Sequence, residues 1–257
     1  MSGELAQLIA LVAYGNQFLA SGKAPDLLGA NSTFRFVSTV EFVSCDGSRA
    51  RRCYDPSSWY ESLTHGGVRR LALDVRPRSS ELSVVAESDR ATTRWTGRWS
   101  LVGNPRGADE RIWGVLYECT RSRMRRNRNV DLERATVELR AALERASEFA
   151  HANSDQLSLF AEWFEEATQL LEAEDPVPPF HPDVLPASAY DLPARRLVAA
   201  ATRAWVFGGM GSWNDVWLES PRTRREYRRV SNILFKALLS AFAAGANSSR
   251  SSTRGAA

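Results

Sequence analysis

The periodicity of hydrophobic residues changes once along this chain, near residue 120, and that change limits the folds available to it. Upstream, apolar and polar residues alternate, as in TTRWTGRWSLV (92–102), where Trp95, Gly97 and Trp99 share one face. Downstream, apolar residues recur at intervals of three and four, which is the spacing of a helix face. The sequence therefore predicts a sheet followed by a set of packed helices.

The first part of the chain predicts an α+β unit over residues 1–120. Leu5, Leu8 and Ile9 fall on one face of an N-terminal helix, and Glu4 together with the short length of the apolar run argues against an export signal or a membrane span. We expect a curved, five-stranded antiparallel sheet to cover this helix, with 46–67 as one long connection. Five segments rich in β-branched and aromatic residues supply the strands: 34–43, 71–77, 81–88, 92–102 and 111–120.

The second part, residues 131–245, predicts a helical unit of four to five helices. Helices over 132–149 and 157–171 should form an antiparallel hairpin. The segment 174–193 holds six of the eleven prolines but also carries apolar side chains, so it is interpreted as a strap lying across the helices. An Arg-rich boundary at 121–130 separates the two units, and the polar tail 246–257 is expected to be disordered.

Composition narrows the chemistry that the chain can perform. The three cysteines, Cys45, Cys53 and Cys119, form no CxxC pattern, so neither a zinc site nor a disulfide is expected, and a cytoplasmic location follows. Glu148 and His151 have the ExxH spacing of di-iron helices, but no second ExxH exists, so no metal is expected. No dinucleotide, phosphate-loop or nucleophile-elbow motif is present, and no cofactor is predicted.

The stretch FGGMGSWND, residues 207–215, is the candidate binding loop. Gly208 and Gly209 are interpreted as the end of one helix, and Ser212 with Asp215 as a capping box that starts the next. Ending one helix and starting the next does not require three glycines. Glycine also allows the backbone to approach another element or a ligand closely. Close packing of helix ends is the preferred interpretation, with a binding site as the alternative; the residues concerned are Gly208, Gly209, Gly211, Trp213, Asn214 and Asp215.

Two arginine clusters are candidate anion-binding sites. Arg125, Arg126 and Arg128 belong to the boundary, where a solvated linker is the plainer explanation. The second cluster, which includes Arg222, Arg225 and Arg229, lies in the first turns of the last predicted helix, where the positive end of the helix dipole disfavours cations. Intramolecular glutamates are expected to offset this second cluster, and an external anion is the alternative.

Three classes of function remain compatible with the sequence. The preferred hypothesis is an interaction or accessory protein that binds another protein and has no chemistry of its own. A binder of nucleic acid or another polyanion is the first alternative. An enzyme with a dispersed active site is the second, and chain order alone suggests Cys53, His65 and Asp74 for it. The sequence resembles no family that would decide between them.

Overall fold

A computed structural model describes residues 1–45, 51–76, 81–105, 107, 110–122 and 131–249. The chain divides into two compact units. The sheet unit comprises Gly3–Arg128 and Asp183–Ala189, and the helical unit comprises Asn129–Pro182 and Tyr190–Ser248. The class is α+β with a helical C-terminal part, as the change of period predicts.

Over its described residues, the sheet unit contains three α-helices and a six-stranded mixed sheet with the order β2-β1-β6-β5-β4-β3. The prediction of five antiparallel strands is wrong in two respects, because β2 is an additional short strand and β1 pairs in parallel with β6. Strand pairing between segments some seventy residues apart is not encoded in local periodicity. The elements are α1 Gly3–Ser21, α2 Leu27–Ala30, β1 Val37–Val43, β2 Arg52–Cys53, α3 Pro56–His65, β3 Val68–Arg76, β4 Glu81–Ser88, β5 Thr92–Leu101 and β6 Trp113–Ser122.

Helix α3, with 10 residues, lies in the C-terminal half of the segment 46–67, which the sequence predicts to be one long connection. Asp55 caps it by accepting a hydrogen bond from the Ser58 amide at 2.8 Å, and Pro56 occupies the first turn. Trp59 and Tyr60 are buried, and the Trp59 ring stacks on Phe42 of β1 at 4.3 Å. The expectation of a long loop is therefore wrong, and the Asp-Pro pair is the helix-start signal that it overlooked.

Helix α1 packs against β3 and β4. The Asn16 side chain fixes the contact, because its amide donates to the Leu71 carbonyl at 2.9 Å and its oxygen accepts from the Leu71 amide at 2.8 Å. Gly15 allows the close approach, since a Cβ there would lie 2.4 Å from the Leu71 side chain and 2.7 Å from the Tyr60 ring. The predicted N-terminal helix is thus present and lies in the core of this unit.

The proline-rich strap differs from its expected position. Its segment Asp183–Ala189 belongs to the sheet unit, where the Asp183 carboxylate accepts from the Ser32 amide at 2.8 Å and its carbonyl accepts from the Tyr14 hydroxyl at 2.9 Å. Burial, followed by the charge of Asp183, raises the pKa of Tyr14. Val177 and Phe180, two of the apolar side chains of the strap, are exposed and therefore not covered by the helices. Hydrogen bonds of Asp183 attach this segment to the sheet unit. The pattern of apolar residues gives no sign of such contacts.

The expectation of no disulfide is also wrong. Cys45 follows β1 and Cys119 lies in β6, and the two are bonded with their Cα atoms 5.0 Å apart. The parallel pairing of β1 with β6 brings them together across 74 residues of sequence. Cys53 is a free, buried thiol.

The helical unit contains α4 Leu132–His151, α5 Ser154–Leu170, α6 Leu192–Arg203 and α7 Pro221–Asn247. Helices α4 and α5 form the predicted hairpin, and α7 packs against α4 and α6. Gly245 permits the contact with α6, since a Cβ there would lie 2.4 Å from Val198. Within the described part of the chain, α7 alone is long and apolar enough to cross a membrane, but 61% of the stretch concerned is buried in the fold, as in an ordinary core helix. Residues 123–130 of the predicted boundary and 250–257 of the tail lie outside the described residues.

Candidate interaction surface

Trp213 anchors the loop that joins α6 to α7. Its ring is completely buried and makes edge contacts with Phe160 at 5.3 Å and Phe164 at 5.4 Å. The indole nitrogen donates to the Ser231 hydroxyl at 2.7 Å, which satisfies its one donor. Tyr227 donates its hydroxyl to the Trp213 carbonyl, and burial raises the pKa of this phenol. Trp213 is therefore a packed core residue.

The predicted capping box is confirmed. The Ser212 hydroxyl accepts from the Asn214 amide at 3.3 Å, and the Asp215 carboxylate accepts from the Ser212 amide at 3.3 Å, around a 3₁₀ turn over Trp213–Asp215. Asn214 and Asp215 are exposed. The Asp215 carboxylate thus has a structural role in the loop.

The glycines do not act as predicted. Helix α6 ends at Arg203 with Ala204 as its cap, so Gly208 and Gly209 lie beyond its end and do not terminate it. A Cβ at Gly208, Gly209 or Gly211 would meet no atom within 4 Å, so no close packing requires glycine there. Gly211 alone among the three has a positive φ, +78°. The interpretation as closely packed helix ends is therefore wrong for these glycines, which form an open, exposed turn.

Replacing Gly211 by alanine should lower the free energy of unfolding by about 1 kcal/mol, because an alanine in the left-handed region is strained. Gly208→Ala is the matched control and should leave stability unchanged or slightly higher, since it has neither a positive φ nor a neighbour. Urea unfolding of both variants measures the difference. Equal losses at the two positions would contradict this account of the turn.

Two large apolar side chains project from the anchored loop. Met210 is fully exposed, and Trp217 is 71% exposed. The Arg224 guanidinium lies over the Trp217 ring, 5.5 Å from its centroid. Tryptophan, arginine and methionine are enriched at protein interfaces, so these exposed side chains are candidates for contact with a partner.

A row of cations continues this surface along α7. Arg222, Arg225 and Arg229 follow at i, i+3 and i+7, so they share the outer face of the helix, and Arg228 lies beside them. Within the described ranges, no carboxylate forms an ion pair with any of these four residues. The expected ion pairs between this cluster and intramolecular glutamates are therefore not found among the described residues. We call these four arginines the basic stripe, and the stripe together with Met210, Trp217 and Arg224 the loop–α7 surface.

Other arginines of the helical unit behave differently. Arg134 pairs with Glu138 at 2.7 Å, Arg140 with Glu172 at 3.1 Å and Arg195 with Asp175 at 2.9 Å. Arg203 pairs with Glu166 and also lies over the Trp163 ring. Among the described residues, four arginines on the other helices are thus neutralised by carboxylates, whereas the four of the basic stripe form no ion pair.

The remaining sequence candidates are not brought together by contacts. Cys53 lies beside Ser58 and Ser62, and burial raises the pKa of its thiol, which disfavours the reactive thiolate. His65 contacts the Glu61 carbonyl at 2.8 Å through Nδ1. Asp74 lies in an ion pair with Arg94 at 2.6 Å. Each of the three has a local structural partner of its own.

His151, the histidine of the ExxH pattern, pairs with a glutamate of the neighbouring helix. His151 contacts Glu165 at 2.6 Å through Nε2. In the part of the chain that the structure describes, no group of three or more His, Cys, Asp or Glu residues is arranged to hold a metal ion. Arg125, Arg126 and Arg128 lie outside the described residues.

Comparisons with family models, with curated proteins and with solved structures find no match for this chain.

Proposed function

We propose that this chain is an interaction protein without chemistry of its own, and that it binds another protein through the loop–α7 surface. The observation that carries the proposal is the basic stripe, whose guanidinium groups form no ion pair among the described residues, on the helix that follows a loop with an exposed methionine and an exposed tryptophan. Arginine and tryptophan dominate the binding energy of many protein interfaces. The buried Trp213 supports this role, because it holds the loop in one conformation before binding.

The mixture of charges favours a protein partner over a nucleic acid. Asp215, Glu219 and Glu226 are exposed around the same surface, and their carboxylates would repel a chain of phosphates. A protein can place cations and anions opposite both kinds of group. A polyanion partner remains a distinct outcome of the experiment below.

A photo-crosslinker tests the proposal directly. Met210 is replaced by p-benzoylphenylalanine, which adds no buried group because the side chain is fully exposed. Leu159, an exposed apolar residue of α5 in the same unit, receives the same replacement as the control. Irradiation in the native cell extract should give a discrete protein adduct from position 210 and none from position 159.

Three results would oppose the proposal. An adduct to nucleic acid at position 210 would favour polyanion binding. Equal adducts at 210 and 159 would show that the loop has no special role. No adduct from position 210 at any protein concentration would show that the loop–α7 surface does not bind a macromolecule.

A further inference from the structure

A groove with the opposite charge lies next to the basic stripe. It has a volume of about 440 Å³ and runs between α4 and α7, with Phe149 and Val230 among its apolar lining residues. Three exposed glutamates, Glu144, Glu148 and Glu226, line it together with one cation, Arg145. We call this feature the acidic groove.

The glutamates of the acidic groove also lack partners. Over the described residues, Glu144, Glu148 and Glu226 form no ion pair. Glu144 and Glu148 are four residues apart on α4, so their like charges repel each other. Within the described part of the helical unit, exposed cations and exposed anions are thus both left without ion pairs.

The stripe and the groove share an edge. Glu226 follows Arg222 by four residues and precedes Arg229 by three, and it also lines the groove. One continuous surface therefore carries a positive half on α7 and a negative half between α7 and α4. A surface of this kind is complementary to itself when it is turned by a twofold rotation.

We propose that the partner of the loop–α7 surface is a second copy of this chain, with the basic stripe of each copy over the acidic groove of the other. This inference rests on the proposed function. In a twofold interface every contact occurs twice, so one docking event neutralises both stripes and both grooves. Closed twofold dimers are the commonest assemblies of soluble proteins, and charge complementarity fixes their register.

Charge reversal in two separate variants provides the test. The first carries Arg222→Glu, Arg225→Glu and Arg229→Glu, so that three carboxylates outweigh Arg228 in its stripe and its stripe and groove are both negative. The second carries Glu144→Arg and Glu148→Arg, so that both are positive. Wild-type protein should sediment as a dimer at low salt and dissociate as salt rises. Each variant alone should be monomeric, with a dissociation constant raised at least about a hundredfold, which matches the loss of close charge pairs at an interface.

The mixture of the two variants is decisive. One negative and one positive copy present complementary stripes and grooves at both contacts, so an equimolar mixture should restore the dimer. Circular dichroism tests whether each variant is folded. If either is not, two milder double variants replace them: Arg225→Gln with Arg229→Gln, and Glu144→Gln with Glu148→Gln. Each of these should form a weaker dimer than the wild type.

The outcomes separate the two proposals. A wild-type chain that is monomeric at low salt overturns self-association, and a crosslink from position 210 to a different protein would then still support the interaction function. A dimer that survives both reversals, or a mixture that stays monomeric, overturns the proposed geometry. A monomer without any adduct from position 210 overturns both.

Discussion

Replacing Trp213 by alanine should lower the free energy of unfolding by about 4 kcal/mol, the typical loss for a fully buried tryptophan. The ring has no exposed surface and contacts aromatic side chains of α4, α5 and α7. Its removal leaves a cavity, and the Ser231 hydroxyl loses the donor that it accepts from. Urea unfolding followed by circular dichroism measures the change.

Trp217→Ala is the matched control for this experiment. Trp217 lies four residues away in the same loop but is 71% exposed, and its main described contact is with Arg224. Removing the Trp217 side chain should lower the free energy of unfolding by no more than about 1 kcal/mol. An equal loss of unfolding free energy in Trp217→Ala and Trp213→Ala would contradict this assignment, because it would show that Trp213 is not the residue that anchors the loop.

Replacing Asp74 by alanine should destabilise the protein by about 3–5 kcal/mol, because it removes the carboxylate that pairs with the buried Arg94 guanidinium. Asp74 and Arg94 are both buried and 2.6 Å apart, and Arg94 also donates to the Ser83 hydroxyl at 2.7 Å. The three residues lie on adjacent strands, so one polar cluster joins β3, β4 and β5. Thermal and urea unfolding report the loss.

Two further variants decide whether the effect comes from the buried charge. Asp89→Ala removes an exposed partner, that of Arg69, and should change stability by less than about 1 kcal/mol. The double variant Asp74→Leu with Arg94→Met replaces the pair by apolar side chains and should recover much of the loss. If the double variant is as unstable as Asp74→Ala, the unpaired charge is not the cause.

Local patterns in the sequence predict most of the elements. The alternation around Trp95 and Trp99 gives β5, the helical spacing of Leu5, Leu8 and Ile9 gives α1, and Ser212 with Asp215 gives the capping box. These features depend on residues within one or two turns of each other. Nearest-neighbour physical chemistry is sufficient to predict them.

Features that depend on distant contacts were not predictable in this way. The parallel pairing of β1 with β6 and the Cys45–Cys119 bond join segments far apart in sequence. The hydrogen bonds of Asp183 with Ser32 and Tyr14 cannot be inferred from the spacing of apolar residues. At the candidate site, composition indicated the loop, but only the packing shows that Trp213 is buried while Trp217 is exposed.

The stability of Arg225→Ala tests the central claim, that the basic stripe is kept for binding and not for folding. Arg225 has Arg222, Arg228 and Arg229 at helical distances of three or four residues and forms no ion pair among the described residues. Relief of this repulsion near the positive end of the helix dipole should raise the free energy of unfolding by about 0.5 kcal/mol. The paired Arg134, replaced by alanine as the control, should show no such gain, because its replacement removes the ion pair with Glu138.

The measurement is urea unfolding at low salt and at high dilution, where association does not add to stability. We predict that Arg225→Ala is more stable than the wild type while its dimer is weaker. A loss of about 1 kcal/mol or more in Arg225→Ala would contradict the account, because it would show that the basic stripe holds the fold together.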